Sequence, residues 1–270
     1  MPELPEVEVI ARGLNSSVTG RRIDRVEALW PTSIRGSAER FLDLVTGCTI
    51  DSVSRRAKLL LLELAPQRTL AVHLKMTGRM VHHEAPTPAK HDRIRFFLDD
   101  GSILTFADMR RFGYLAVFLP GELELWDFYN DLGPEPLEMT VEAFIARFQD
   151  SKARIKALLL DQRIVAGVGN IYADESLFLA GIKPQSVAKD IEKARLAALF
   201  ARLQEVLRRS IQENGSSIRN YRDSGGNAGA FQNLFQVYGR GGEPCLHCGQ
   251  LLDKIKVSGR STVFCSVCQS

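Results

Sequence analysis

The chain has 270 residues, 45% of them hydrophobic and 25% charged, with a net charge of only +3. These values suit one large domain or two ordinary ones and allow a sizeable core. No run of about 18 apolar residues occurs, which excludes an apolar helical span of a membrane.

Charge is unevenly placed. Residues 1–51 carry 6 basic and 8 acidic side chains, residues 52–112 carry 11 and 6, and residues 113–150 carry 1 and 8. Residues 151–214 carry 11 and 7, and residues 215–270 carry 6 and 3. Three basic regions thus flank one acidic stretch, a pattern that suits a polyanion partner, although solvated faces account for it equally well. The opening MPELPEVEVI has acids and lacks a charged-then-apolar leader pattern, so a cytoplasmic protein is expected.

In chain order, residues 5–14 predict a short helix. Pro5 fits its first turn, and Val7, Ile10 and Leu14 share one face. From Ile23 to Leu119 the texture becomes β: IDRVEALW, TIDSVSRR, KLLLLELA, TLAVHLK, RIRFFLDD, SILTFAD and YLAVFLP are short and punctuated by turns. Asp100-Gly101 between two apolar runs predicts a tight hairpin. Seven or eight strands behind one helix predict a β-sandwich over 1–119. The Pro-rich, acidic stretch 120–139 reads as a linker. Helical periodicity then runs over 140–240, with a Gly-, Ser- and Asn-rich loop at 215–230. The fold class expected is α+β in two domains: an N-terminal helix plus β-sandwich, then a helical domain ending in a module at 241–270.

That module holds Cys245-x-x-Cys248 and Cys265-x-x-Cys268, sixteen residues apart. Paired Cys-x-x-Cys turns each give two thiolates, and four thiolates satisfy tetrahedral zinc. Two disulfides are the alternative, disfavoured in a reducing compartment. Four protein ligands leave no open position, so one structural zinc ion is expected. His247 is then a bystander, and Cys48 is a small buried apolar residue. Between the pairs, KIKVSGRSTVFC predicts a hairpin turning at Ser258-Gly259 with Arg260 at its tip.

Several stretches resemble, in order from Pro2 to Gln269, the formamidopyrimidine-DNA glycosylase family. They are MPELPEVE, RRAKLLLLEL, HLKMTGR, KHDRIRF, RRFG, LGPEPL, DQRIVAGVGNIYADESLF, VYGRGGEPC and RSTVFCSVCQ. The resemblance implies a bacterial repair enzyme acting as a monomer on damaged double-stranded DNA at the chromosome. It would excise oxidised purines and then cleave the backbone by β,δ-elimination, and its helical domain would hold a helix–two-turn–helix element.

The family's roles fall on matching positions. Pro2, exposed once Met1 is removed, is the nucleophile, because an α-amine titrates near pKa 8 and is available unprotonated. Glu3 is the proton donor, Glu6 the supporting carboxylate, Lys58 the β-elimination lysine and Arg260 the δ-elimination arginine. Met76, Arg110 and Phe112 fill the gap left by a flipped base. His73, His91, Lys152 and Asn170 contact the backbone, Asn170 at a helix N-terminus. Ser217, Ile218, Arg219, Asn220 and Tyr221 belong to the loop that covers the lesion.

From residue type alone, Met76 and Phe112 would be core, Lys58, His73 and His91 would be surface residues, and Glu3 and Glu6 would be helix-start acids. Glu8 keeps that last reading. The chain departs from the family where Lys75 replaces a common Gly and Met109 a common Pro. The alternatives are an endonuclease VIII-like enzyme for oxidised pyrimidines, whose start reads Pro-Glu-Gly-Pro rather than Pro-Glu-Leu-Pro, and a non-catalytic zinc-ribbon DNA-binding protein.

Overall fold

The computed structural model describes residues 2–85, 88–218 and 221–270. The chain divides into two compact units, residues 1–130 with 213–232, and residues 131–212 with 233–270.

The first unit opens with helix α1 (Leu4–Val18), longer than periodicity suggested. A capping box starts it: the Glu3 side chain accepts from the backbone of Glu6, and the Glu6 carboxylate accepts from Glu3 N–H at 2.8 Å. Its face of Leu4, Val7, Ile10, Ala11, Leu14 and Val18 is buried. Strand β1 (Ile23–Ala28), helix α2 (Ala38–Val45), and strands β2 (Thr49–Arg56), β3 (Leu59–Ala65) and β4 (Arg68–His73) follow. Strands β5 (Gly78–His83), β6 (Asp92–Leu98), β7 (Ile103–Asp108) and β8 (Tyr114–Phe118) complete the unit's sheets.

Among the described residues these eight strands form two antiparallel four-stranded sheets, ordered β1-β6-β7-β5 and β2-β3-β4-β8. One apolar cluster joins them, with Ile50, Leu60, Leu62 and Val72 from one sheet, Met80, Ile94, Phe96 and Phe106 from the other, and α1 against both. Cys48 lies in this cluster as a buried apolar residue. The Asp100-Gly101 hairpin forms, with Gly101 at φ 85°.

Helix α2 and strand β5 had no clear signal in the sequence. Ser37 caps α2, its Oγ accepting from Arg40 N–H at 3.2 Å. Strand β5 has His82 and His83 where an apolar alternation would be read. The stretch expected as a linker over 120–139 is also different at its start. Leu123 and Trp126 pack with Leu59, Leu61 and Ala71 on the sandwich, and a short helix α3 (Asp127–Asn130) ends the unit. Apolar side chains inside an acidic stretch are the cause.

The second unit holds helices α4 (Val141–Phe148), α5 (Ile155–Leu160), α6 (Asn170–Leu179) and α7 (Lys193–Gln212). Thr140 caps α4. Phe144 stacks on Phe148 at 4.3 Å and meets Phe200 of α7 at 4.9 Å. Strands β9 (Asp253–Val257) and β10 (Arg260–Phe264) make the expected hairpin, with Ser258 at φ 50° and Gly259 at φ 75° in its two-residue turn. Among the described residues no helix is long and apolar enough to cross a membrane.

Leu14 is fully buried between α1 and the sheets. Leu14→Ala is expected to cost about 2–5 kcal/mol of unfolding free energy, read from denaturant titration.

Candidate functional site

The chain's start is fixed by one carboxylate. Glu6 is buried, and its Oε2 accepts from Glu3 N–H at 2.8 Å while its Oε1 accepts from Ser216 N–H at 2.8 Å. Tyr221 O–H reaches the Glu6 carbonyl at 3.4 Å. Burial, the Glu6 charge and Asp223 all push the Tyr221 phenol upward, so it stays a neutral donor. Pro2 and Glu3 are buried beside this network.

The same contacts attach the 213–232 loop to the sandwich unit, although the sequence places the loop within the helical region. Ser224 packs so closely on α1 that a Cβ at Gly13 would lie 2.0 Å from its Oγ, and its carbonyl accepts from His82 N–H at 2.9 Å. Ser217 N–H donates to Gln232 at 2.7 Å and its hydroxyl to the Tyr221 carbonyl at 2.9 Å. Ile218 is exposed. Arg219 and Asn220, expected in the lesion loop, lie outside the described residues. Glu8 bridges Arg12 and Arg55, each at 2.6 Å, so it ties α1 to β2.

Lys58 is nearly buried in the two-residue β2–β3 turn, where Ala57 takes φ 53°. His73 ends β4, paired with Leu59. Burial, then the Lys75 and Lys58 charges, push His73 down to about 3, so its ring is neutral at neutral pH. Its Nδ1 accepts from Lys75 N–H at 3.1 Å, which leaves the proton on Nε2 as a donor.

The three expected gap-filling side chains come together on the surface. Met76 is 45% exposed and Phe112 53%, which rules out core packing for both. The Arg110 guanidinium donates to Met76 Sδ at 3.1 Å and lies 4.7 Å from the Phe112 ring centre.

Sequence reasoning missed what holds them. Asp108, 1% exposed, ends β7 and accepts from the Thr77 hydroxyl, from Arg110 N–H at 3.1 Å and from Gly113 N–H at 2.8 Å. Its carbonyl accepts from Arg93 Nε at 2.8 Å, and its N–H donates to the His91 carbonyl at 2.9 Å. One buried carboxylate therefore fastens the loop carrying Met76 to the loop carrying Arg110 and Phe112. The Asp just before Met-Arg-Arg-Phe-Gly was the signal available.

In the second unit, Asn170 begins α6 after Gly169, and its Nδ2 donates to the Ser261 carbonyl at 2.9 Å, beside Arg260. The hairpin is anchored from below. Lys156, fully buried, pairs with Asp174 at 2.5 Å and donates to Thr262 Oγ1 at 2.7 Å. Burial raises the Asp174 carboxyl to about 7 against the pull of Lys156. Arg260 and Lys152 are exposed. Buried Glu175, whose carboxyl burial pushes up, accepts from the N–H groups of Gln236, Val237 and Tyr238 at 2.8–3.0 Å.

The four cysteine sulfurs all lie within 4.8 Å of one another. Cys245 and Cys268 are 3.9 Å apart, and Cys248 and Cys265 are 3.5 Å apart. These separations exceed a disulfide bond of about 2.05 Å. They match the ~3.8 Å edge of a tetrahedron of sulfurs at about 2.3 Å from zinc. The donor set fits one structural zinc ion, and Gln269 joins the module to the helices by accepting from Cys265 N–H at 2.8 Å and donating to the Ile182 carbonyl at 2.7 Å. His247 rests on Phe178.

A helix-led β-sandwich with acids around a proline at its start, and a helical unit with a zinc ribbon, define a DNA glycosylase architecture of the helix–two-turn–helix class. Residues 1–115 match the formamidopyrimidine-DNA glycosylase N-terminal domain, residues 132–222 the formamidopyrimidine-DNA glycosylase H2TH domain, and residues 242–270 the zinc finger found in FPG and IleRS. The chain is 45% identical to a formamidopyrimidine-DNA glycosylase of Desulfitobacterium hafniense and 41% to that of Nitratidesulfovibrio vulgaris, covering 100% of each chain. It is similar to Lactococcus lactis Fpg solved with an abasic-site-containing DNA, with TM-score 0.93, 37% identity and 99% of both chains covered. The wild-type Lactococcus lactis Fpg with an N7-benzyl-Fapy-dG-containing DNA gives TM-score 0.93, 36% identity and the same coverage. The chain belongs to the formamidopyrimidine-DNA glycosylase family.

Asp108→Asn puts an amide where N–H groups converge. Amide exchange at Arg110 and Gly113 is expected to quicken about 10- to 100-fold, the equivalent of one charge-assisted hydrogen bond, by mass-spectrometric hydrogen exchange. Removal of zinc by a chelator, or Cys268→Ser, is expected to abolish amide protection over β9 and β10, with metal analysis giving one zinc per intact chain.

Proposed function

We propose that the chain excises oxidised purines, 8-oxoguanine and formamidopyrimidines, from duplex DNA and then cuts the backbone at the resulting site. The observation that carries this reading is the buried carboxylate network that holds the chain's start, with Pro2 beside Glu3 and Glu6.

The secondary amine of Pro2, freed by removal of Met1, attacks C1′ of the damaged nucleotide. The C1′–N bond to the base breaks, the departing base taking up the proton that the amine gives up, and the sugar ring opens, with Glu3 giving the ring oxygen its proton, which leaves an iminium on Pro2. The iminium acidifies C2′. Loss of that proton expels the 3′ phosphate, and a second elimination expels the 5′ phosphate. Water then releases the sugar fragment and restores the amine, so protons and electrons balance without a redox partner.

Glu6 keeps the Glu3 backbone in place, and Lys58 serves the first elimination. Arg260 grips phosphate and serves the second. Met76, Arg110 and Phe112 enter the duplex as the base leaves the stack, with Arg110 donating to the base left behind. His73 donates its Nε2–H to phosphate without adding charge, His91 and Lys152 make further backbone contacts, and Asn170 does so at the N-terminus of α6. The loop 215–230, with Ser217 to Tyr221, covers the flipped base. Zinc stabilises the ribbon and takes no part in a step. The sandwich is the catalytic domain, the helical unit and ribbon are its DNA grip, and the protein works as a monomer in the bacterial cytoplasm.

Borohydride is expected to trap a covalent adduct with an 8-oxoguanine duplex, and Pro2→Gly to lower trapping at least about tenfold. Acetylation of the mature N-terminus is expected to abolish it. A blocked protein that still forms the adduct overturns the assignment of Pro2.

A further inference from the structure

Beside the wedge residues lies a group of aromatic rings that carries more positive charge than the proposed chemistry uses. Trp126 meets Phe128 at 4.9 Å and Tyr114 at 6.1 Å between ring centres. Three nitrogen-bearing side chains rest on these rings. The Arg35 guanidinium lies 5.1 Å from Trp126 and 6.0 Å from Tyr114. The Lys75 ammonium lies 5.5 Å from Tyr114 and 5.8 Å from Phe128. The His73 ring packs on Tyr114 at 5.6 Å and on Phe128 at 5.5 Å.

Lys75 and Arg35 therefore both lie against the Tyr114 ring, close enough for each to feel the other's charge. Two like charges so placed repel, and burial together with Arg35 depresses the Lys75 ammonium. Among the described residues neither side chain has a carboxylate within ion-pair distance. Some exposed arginines of this chain do face an acid, as Arg12, Arg22, Arg25 and Arg163 show. The backbone is unusual too. Lys75 holds φ 50°, a region that disfavours any side chain and suits glycine. A lysine in a glycine conformation, one residue before Met76 and with its charge left facing a second cation, is a feature that an anion would stabilise.

We propose that Lys75 and Arg35 form an additional phosphate-binding subsite that takes a DNA phosphodiester flanking the inserted Met76. The ring faces orient the cations by cation–π attraction, so little side-chain freedom is lost on binding. The anion relieves the repulsion between the two heads, and the neutral His73 beside them supplies an N–H donor without a third charge. This rests on the DNA-binding reading above and extends it to two residues that reading does not use.

The test is the salt dependence of affinity for a duplex carrying a non-cleavable abasic-site analogue, followed by fluorescence anisotropy between about 50 and 200 mM salt. Each lost phosphate contact lowers the slope of log K against log salt by about 0.9. Lys75→Met and Arg35→Gln are each expected to flatten the slope by that amount, and the double variant by about twice that. Lys75→Gly, which suits φ 50°, keeps the readout available if Lys75→Met misfolds, and melting temperatures establish folding. Slopes equal to wild type in the folded single and double variants overturn the subsite. A wild-type protein with no salt-dependent duplex binding instead sinks the DNA-binding reading itself, so the two failures are distinguishable.

Discussion

Two backbone N–H groups separated by more than two hundred residues converge on one buried carboxylate. Glu6 accepts from Glu3 and from Ser216. A buried charge needs such donors, since an unpartnered carboxylate in the interior would cost several kcal/mol. The arrangement has two consequences for shape. The chain's start, which in most proteins frays, is held at α1, so an amine placed there has a fixed position. The 213–232 segment, which follows the long helix α7, is drawn onto the sandwich rather than the helices. The terminus and the loop thus share an anchor, and the loop stays fastened at Ser216 and Ser224 on either side of its exposed Ile218.

Buried acids recur with the same logic. Asp108 clasps the turns that carry Met76, Arg110 and Phe112. Glu175 collects three consecutive N–H groups ahead of the ribbon, and Asp174 with Lys156 sits beneath the hairpin that carries Arg260. At Met76, Arg110 and Phe112 and at Arg260 the exposed side chain sits on a turn whose backbone is held by a buried group behind it. Exposed chains of that kind carry too few contacts to order themselves, so hydrogen bonds to buried charge supply the order.

What the sequence made legible follows from how local each signal is. The Cys-x-x-Cys pairs, the Asp100-Gly101 and Ser258-Gly259 turns and the periodicity of α1 and α7 are written within a few residues, and all appear in the fold. Met76 and Phe112 show the limit of residue type: hydrophobicity alone assigns them to the core, yet both are exposed. Partners such as Glu6 and Ser216, or Lys156 and Thr262, are joined by tertiary hydrogen bonds that no periodicity encodes. Strand β5 was unreadable for a different reason. Its pairing with β7 along the sheet edge stabilises a segment whose histidines weaken the alternation. Around Trp126 the acids and prolines point to a linker, while the apolar Leu123 and Trp126 decide the packing.

The ionisation of His73 connects these themes. A histidine among lysines could add a third positive charge, which would strengthen attraction to a polyanion at long range. Here burial and the charges of Lys75 and Lys58 drive its pKa to about 3. The ring is therefore neutral across the pH range in which most proteins work, and the Lys75 N–H occupies Nδ1. What remains is a directed Nε2–H donor whose strength does not change with protonation. A cationic histidine would raise the repulsion within the cluster and destabilise the fold before any ligand arrived. A neutral one gives orientation at no electrostatic cost, and it leaves charge to residues such as Arg35, exposed at the edge, where solvent screens the repulsion until an anion replaces the water.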